Sequence, residues 1–237
     1  MKKVAASLSD VTLTGVSSMA TRQFLTDVGA VYREQCGIDV HFMSVGGVDA
    51  ARLVREGNSF DFAVLASDAI DALIADGHIV GDSKIDVVRS KVAVATRAGT
   101  PHPAIDNERA LCDAIRAARS IGYSTGPSGK ALLNLLDAWG IADSMADRLV
   151  LSPPGVPVGQ LVADGAVDLG FQQFSELMNL PGIDVLGTMP NDCAIVTTFS
   201  AGLCVNATHR TETRELLDFL RSQVTDELKY RHGMEPA

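Results

Sequence analysis

YSTGPSGKALLNLLDAW, residues 123–139, is a short apolar lead-in that breaks at Gly126, Pro127, Ser128 and Gly129 and then continues as a helix. Leu132, Leu135, Leu136 and Trp139 recur at helical spacing, so one side of that helix faces a core. Pro127 suits the first turn, where a missing N–H costs nothing, and Ser128 can cap the helix or offer a hydroxyl. From Thr125 through Ser128 and Gly129 to Lys130, backbone N–H groups sit at the positive end of the helix dipole, which makes a cradle for an anion. A Walker A loop fails here twice: Ser124 holds its first glycine position and Ala131 follows Lys130. On these residues alone, an ordinary strand-to-helix turn is the other reading.

Outward from this stretch, strand and helix patterns alternate along nearly the whole chain. Val11–Val16 reads as a strand, Ser18–Gln35 as a helix stopped at Gly37, Asp39–Val45 as a strand and Val48–Glu56 as a helix stopped at Gly57. Phe60–Ala66 follows as an apolar strand, and Ser67–Asp76 as a helix with Gly77 behind it. A second cycle opens with the strand Lys91–Thr96. It runs through a helix at Glu108–Ala118, the strand Ile121–Ser124, the helix from Gly129 to Trp139, a helix at Val158–Asp164 and the strand Val167–Phe171. A helix at Gln173–Asn179, a strand at Ile183–Leu186, the long apolar run Ala194–Val205 and terminal helices complete it. The pattern predicts an α/β protein of two lobes, each a mostly parallel sheet flanked by helices. Lobe 1 is expected over residues 1–90 plus 200–237 and lobe 2 over 91–199, with the binding site in the cleft between them, beyond the carboxyl ends of the strands.

Composition narrows the partners. With 237 residues, 46% hydrophobic and only 5% aromatic, and a formal net charge of −9, the chain has few stacking platforms and no run of Lys and Arg. That argues against nucleic acid, while a small anion can still be held by local donors. Cys36, Cys112, Cys193 and Cys204 lie far apart with no His at ligand spacing, so they read as free core thiols, and neither a metal nor a cofactor is expected. No stretch is apolar enough to insert in a membrane, and the start MKKVAASLSD lacks the apolar run of a signal peptide. The chain is therefore expected to be periplasmic if an export signal was removed, and otherwise cytoplasmic.

Three strand-to-helix corners could supply donors. Ser17 and Ser18 stand just before the first helix, and Ser18 is a plausible cap. Gly46 and Gly47 would let a ligand approach bare N–H groups. The corner from Thr125 to Lys130 is the third. Where the strand ending at Phe171 runs out, Gln172 and Gln173 add amides able to donate or accept; solvated glutamines are the ordinary alternative. Among residues able to carry a proton or pair with an anion, Lys130, Arg22 and His41 are the weak candidates.

The order and spacing of these pieces resemble the molybdate-binding protein family, the periplasmic type II solute-binding proteins of oxyanion transporters. The resemblance runs from the hydroxyl corner through VGGVDAARLVREGNSFDFAVLAS, KVAVATRAG, GPSGKALLNLL and VADGAVDLGFQQFSEL to the terminal LLDFLRSQVTDELKYRHGMEPA. It implies that Ser17 or Ser18 stands for the first hydroxyl ligand, that Gly47 occupies the place of a second serine, that Ser128 lies in the turn offering N–H donors, and that Gln173 falls near the family's tyrosine. Two hydroxyls are then replaced, which suits a larger, planar, carboxylate-bearing ligand better than a tetrahedral oxyanion. A non-molybdate branch of the family is similar to aconitate isomerase, which shifts a double bond in trans-aconitate by proton transfer. The resemblance therefore implies a solute-binding protein for an oxyanion or organic polycarboxylate, partnered by an ABC-transporter permease if exported; if the chain is an enzyme, it is an isomerase.

Overall fold

The computed structural model describes residues 11–237, so the lysine-bearing start read for an export signal lies outside the described residues. In chain order the elements are β1 (Thr12–Ser18), α1 (Arg22–Cys36), β2 (Asp39–Val45), α2 (Gly47–Arg55), β3 (Phe62–Ala66), α3 (Ser67–Ala75) and β4 (Ile85–Arg97). Next come α4 (Glu108–Ala117), β5 (Ile121–Tyr123), α5 (Pro127–Ala138), α6 (Ala142–Met145), β6 (Leu149–Leu151), α7 (Val158–Ala163), β7 (Leu169–Gln173) and α8 (Phe174–Leu177). The chain closes with β8 (Ile183–Thr188), β9 (Val196–Leu203), α9 (Arg210–Arg221), α10 (Asp226–Arg231) and β10 (Met234–Pro236). It divides into two compact units. Unit 1 is the chain up to Val88 with Phe199–His232 and Pro236–Ala237, and unit 2 is Arg89–Thr198 with Gly233–Glu235.

In unit 1 the strand order is β2-β1-β3-β9. β1 is parallel to both β2 and β3, while β9 runs antiparallel to β3. Val16, Ala50, Val54, Leu65, Ile70 and Leu73 form the core beneath α2 and α3. Phe24, Leu25, Val28 and Tyr32 of α1 are also buried, as are Leu216 and Leu220 of α9. Each of these side chains contributes about 2 kcal/mol by leaving water. Gly37, Gly57 and Gly77 all take positive φ, at 72°, 78° and 77°, and so terminate α1, α2 and α3 where their spacing predicts. Asp61, buried ahead of β3, accepts from the N–H groups of Thr14 at 2.9 Å, Thr208 at 2.9 Å and His209 at 3.2 Å, which ties the sheet to the start of α9.

Unit 2 repeats the plan with the order β4-β7-β5-β6, and β8 and β10 also pair with β4. β5 is parallel to β6 and β7, whereas β4 is antiparallel to β7 and β8. One face is packed by Leu111, Ile115, Leu132, Leu136 and Phe171. On the other, Gly122 and Gly170 stand side by side on β5 and β7. A side chain on Gly122 would come to 2.9 Å from Val158, and one on Gly170 to 2.5 Å from Val162, so this glycine floor lets α7 settle close to the sheet.

The sheets are mostly parallel, as expected, with antiparallel pairings of β9 with β3 and of β4 with β7 and β8. Several other expectations are corrected. β4 starts at Ile85, ahead of the expected Lys91; Asp86, Arg89 and Lys91 mask its buried Val87 and Val88. Met19–Thr21 form a 3₁₀ turn, which leaves Ser17 and Ser18 as the last residues of β1. Gln172 and Gln173 close β7 and shorten the expected helix to Phe174–Leu177. Cys193 and Cys204 are buried, but Cys36 is exposed and Cys112 only half-buried, so the core-thiol reading fails for Cys36. Among the described residues, no helix is long and apolar enough to cross a membrane.

Candidate functional site

The parallel strands of each unit end at one edge, and their helices begin there. In unit 1 that edge carries the corners after Ser18, Val45 and Ala66, which open toward α1, α2 and α3. Ser17 is fully buried, and its hydroxyl lies 2.8 Å from that of Ser44, its register partner on β2. Ser18 Oγ accepts only a long bond, 3.4 Å, from the Ala20 N–H, which leaves acceptor and donor capacity to spare. A side chain built on Gly47 would reach 4.0 Å from Ser18 Oγ, so the hydroxyl corner and the Gly46-Gly47 corner are neighbours. Arg22, the first residue of α1, is exposed and has no ion-pair partner among the described residues. His41 is also exposed, but it pairs with Thr14 in the middle of β2, several residues short of the edge.

In unit 2 the corresponding edge gathers the corner from Ser124 to Lys130, the Ser152–Pro157 loop and the end of β7. The Gly129 and Lys130 N–H groups turn back to the Gly126 carbonyl at 3.1 and 3.2 Å, so the donors least committed to the first turn of α5 are those before them. Gly129 is obligatory: a Cβ there would lie 1.8 Å from the Ser124 carbonyl oxygen. Ser128 is buried, with its hydroxyl 3.3 Å from that of Ser124. Thr125 and Lys130 are exposed at the mouth of the corner. The Ser152 N–H bonds the Tyr123 carbonyl at 2.8 Å and draws the β6–α7 loop against the cradle.

The two glutamines are buried, with relative exposures of 4% and 2%, contrary to the ordinary expectation for such a pair. Gln173 Nε2 donates to Thr197 Oγ1 at 2.8 Å, while its Oε1 has no partner, a buried amide with one end unused. Gln172 is occupied at both ends. Its Oε1 accepts from the Val158 N–H, the first of α7, at 2.8 Å, and its Nε2 donates to Glu176 Oε2 at 2.7 Å. Burial pushes the Glu176 carboxyl up to about 7 against the pull of the Gln172 amide. Sequence reasoning missed Glu176, Thr197 and the Ser152–Pro157 loop. The one signal for Glu176 was a carboxylate set between the apolar Phe174 and Leu177.

A cavity of about 540 Å³ in unit 2 lies at the opposite ends of these strands, lined by Arg97, Thr100, His102, Arg119 and Asp168 among others. Arg119 and Asp168 neutralise each other there at 2.8 Å, and that end lacks the corners that face outward from β5 and β7.

Unit by unit, then, the fold sets strand-to-helix corners bearing hydroxyls, glycines and amides along the carboxyl edges of parallel strands, the construction of a solute-binding protein. Residues 13–235 match the bacterial extracellular solute-binding protein family, and the chain belongs to it. An aconitate isomerase from a Pseudomonas species is 32% identical over 231 residues, which cover 95% of this chain and 88% of that protein. Among solved structures, the periplasmic molybdate-binding protein of Azotobacter vinelandii superimposes with a TM-score of 0.77 at 18% identity, covering 94% of this chain and 98% of that one. The sulfate-binding protein SubI of Mycobacterium tuberculosis gives 0.79 at 18% identity, covering 96% and 87%. The fold is thus that of the type II periplasmic binding proteins.

Proposed function

We propose that this protein binds a small organic polycarboxylate at its strand-to-helix corners, with Ser17, Ser18, Gly46, Gly47, Thr125 and Ser128 as donors and Gln173 Oε1 as an acceptor. Arg22 and Lys130, both exposed, pair with carboxylates at the rims of the two edges. The observation that carries this reading is Gln173, a buried amide with one polar end unused beside a cradle of N–H donors. Amides and an open Gly-Gly corner match planar carboxyl groups, which present both acceptors and, when protonated, donors. If the chain is exported, an ABC-transporter permease is its partner.

A second reading, isomerisation of aconitate, is favoured by the extent of the similarity to the Pseudomonas enzyme. Donors that hold the substrate carboxylates would also stabilise the charge spread onto them when an adjacent carbon loses its proton.

The test is a thermal-shift panel of trans-aconitate, cis-aconitate, citrate, molybdate, tungstate and sulfate. A true ligand at 100 times its dissociation constant adds about 2.7 kcal/mol of stability. The expected result is a shift with the tricarboxylates. A shift with molybdate or sulfate alone would overturn the polycarboxylate reading.

A further inference from the structure

We propose that the cavity at the other ends of the unit 2 strands is a second binding site, for a small monocarboxylate with an apolar body. It is separate from the carboxyl-edge corners and independent of the polycarboxylate reading. Its volume of about 540 Å³ lies in the range of small-molecule pockets. The floor is apolar and buried: Ala114 and Ala118 come from the end of α4, and Val167 and Leu169 from the start of β7. Pro101 and Pro103, on the chain between β4 and α4, add an apolar wall. Such a surface gains by taking a hydrocarbon body out of water.

Carboxylates pin both walls. Asp184 on β8 accepts from the Gly99 N–H at 3.2 Å and lies 3.0 Å from His102 Nε2, which holds the segment after β4 in place. Asp168 accepts from the backbone N–H of Arg119 at 2.8 Å and from its guanidinium at 2.8 and 3.1 Å. Asp168 is the one carboxylate among the lining residues, and it is committed to Arg119. Arg97, the last residue of β4, differs: among the described residues its guanidinium has no ion-pair or hydrogen-bond partner. A Cβ on Gly165 would come to 3.2 Å from Arg97 Nη1 and 3.8 Å from its Cζ, so the guanidinium lies over the Gly165 turn, and both residues line the cavity. One positive charge therefore stays uncompensated beside an apolar floor, in a chain whose net charge is −9. A guanidinium presents its N–H groups as a planar fork that a carboxylate meets with two parallel bonds. A single free fork selects a single carboxylate, because further anionic groups would lie on the apolar floor without partners.

The experiment titrates the full chain with hexanoate and, separately, with hexan-1-ol, followed by the NMR shifts of backbone amides. Hexanoate should move the signals of Thr100, Ala117, Arg119 and Gly165 and leave those of Ser124–Lys130 in place, with a Kd of about 1 mM for a ligand of this size. Hexan-1-ol, with the same hydrocarbon body and no charge, should bind roughly tenfold more weakly. Arg97→Gln removes an exposed charge that no described residue uses, so the variant should melt with wild type. It should weaken hexanoate roughly tenfold and leave hexan-1-ol unchanged. Ala117→Glu sets a carboxylate at the exposed rim of the cavity and should weaken hexanoate while sparing hexan-1-ol. Absence of any shift with hexanoate at about 10 mM, shifts centred on Ser124–Lys130, equal binding of acid and alcohol, or an Arg97→Gln protein that keeps wild-type affinity for hexanoate would each overturn the second site. The polycarboxylate reading stands or falls separately, on the thermal-shift panel.

Discussion

Gly129→Ala tests the cradle most directly. In an exposed helix, replacing Gly by Ala commonly gains about 1 kcal/mol. Here the new Cβ would stand 1.8 Å from the Ser124 carbonyl oxygen and 2.9 Å from its carbon, whereas real Cβ contacts essentially never fall under 3.0 Å. The gap of 3.0 − 1.8 = 1.2 Å must be opened by backbone, since no flexible side-chain tip is there to move. Overpacking of this kind costs roughly 1–3 kcal/mol. For a chain of this length that is a fall in melting temperature of about 2–12 °C. Because the shift displaces Ser124 and the N–H groups beside it, affinity for the ligand should fall as well, by about tenfold or more for a misplacement of this size. Gly126→Ala is the control, with its nearest neighbour Ser124 Oγ at an ordinary 3.6 Å, and should melt within about 2 °C of wild type. Calorimetry and titration with the ligand found in the thermal-shift panel measure both quantities. A Gly129→Ala protein as stable as wild type and equal in affinity would refute the argument that this corner shapes the site.

Two further predictions concern stability. The Glu176 carboxyl binds its proton more tightly in the folded chain, near 7 against 4.5, so its contribution is complete below about pH 4.5 and is lost as pH rises through 7. The difference amounts to roughly 3 kcal/mol; melting scans from pH 5 to 8 should therefore show wild type losing several degrees more than Glu176→Gln, and parallel curves would contradict it. Asp61→Ala leaves three part-buried N–H groups without their acceptor, those of Thr14, Thr208 and His209. The expected loss is roughly 3 kcal/mol, measured by denaturant unfolding, and a loss below about 1 kcal/mol would show that water replaces the carboxylate.

Cys204 illustrates how environment sets chemistry: burial, with the nearby Asp61 charge, pushes its thiol up to about 12, and it stays inert as a nucleophile. The exposed Cys36 is not protected in this way.

By itself the sequence determined the local periods and their punctuation. The stops at Gly37, Gly57 and Gly77, the apolar stripe of α5 and the donor corners at Ser17-Ser18, Gly46-Gly47 and Thr125–Lys130 were legible, because a helix, a turn and a cap each depend on residues a few positions apart. The antiparallel pairings of β4, β8 and β9 were not legible, nor was β6, whose three residues carry too little periodicity to register. The pairings of Ser17 with Ser44 and Gln173 with Thr197, and the chain from Val158 through Gln172 to Glu176, were decided only by tertiary structure. All but the Gln172–Glu176 bond join residues well separated in sequence, and it is their burial, a property of the whole packed unit, that leaves an amide oxygen unused and alters a carboxylate's hold on its proton.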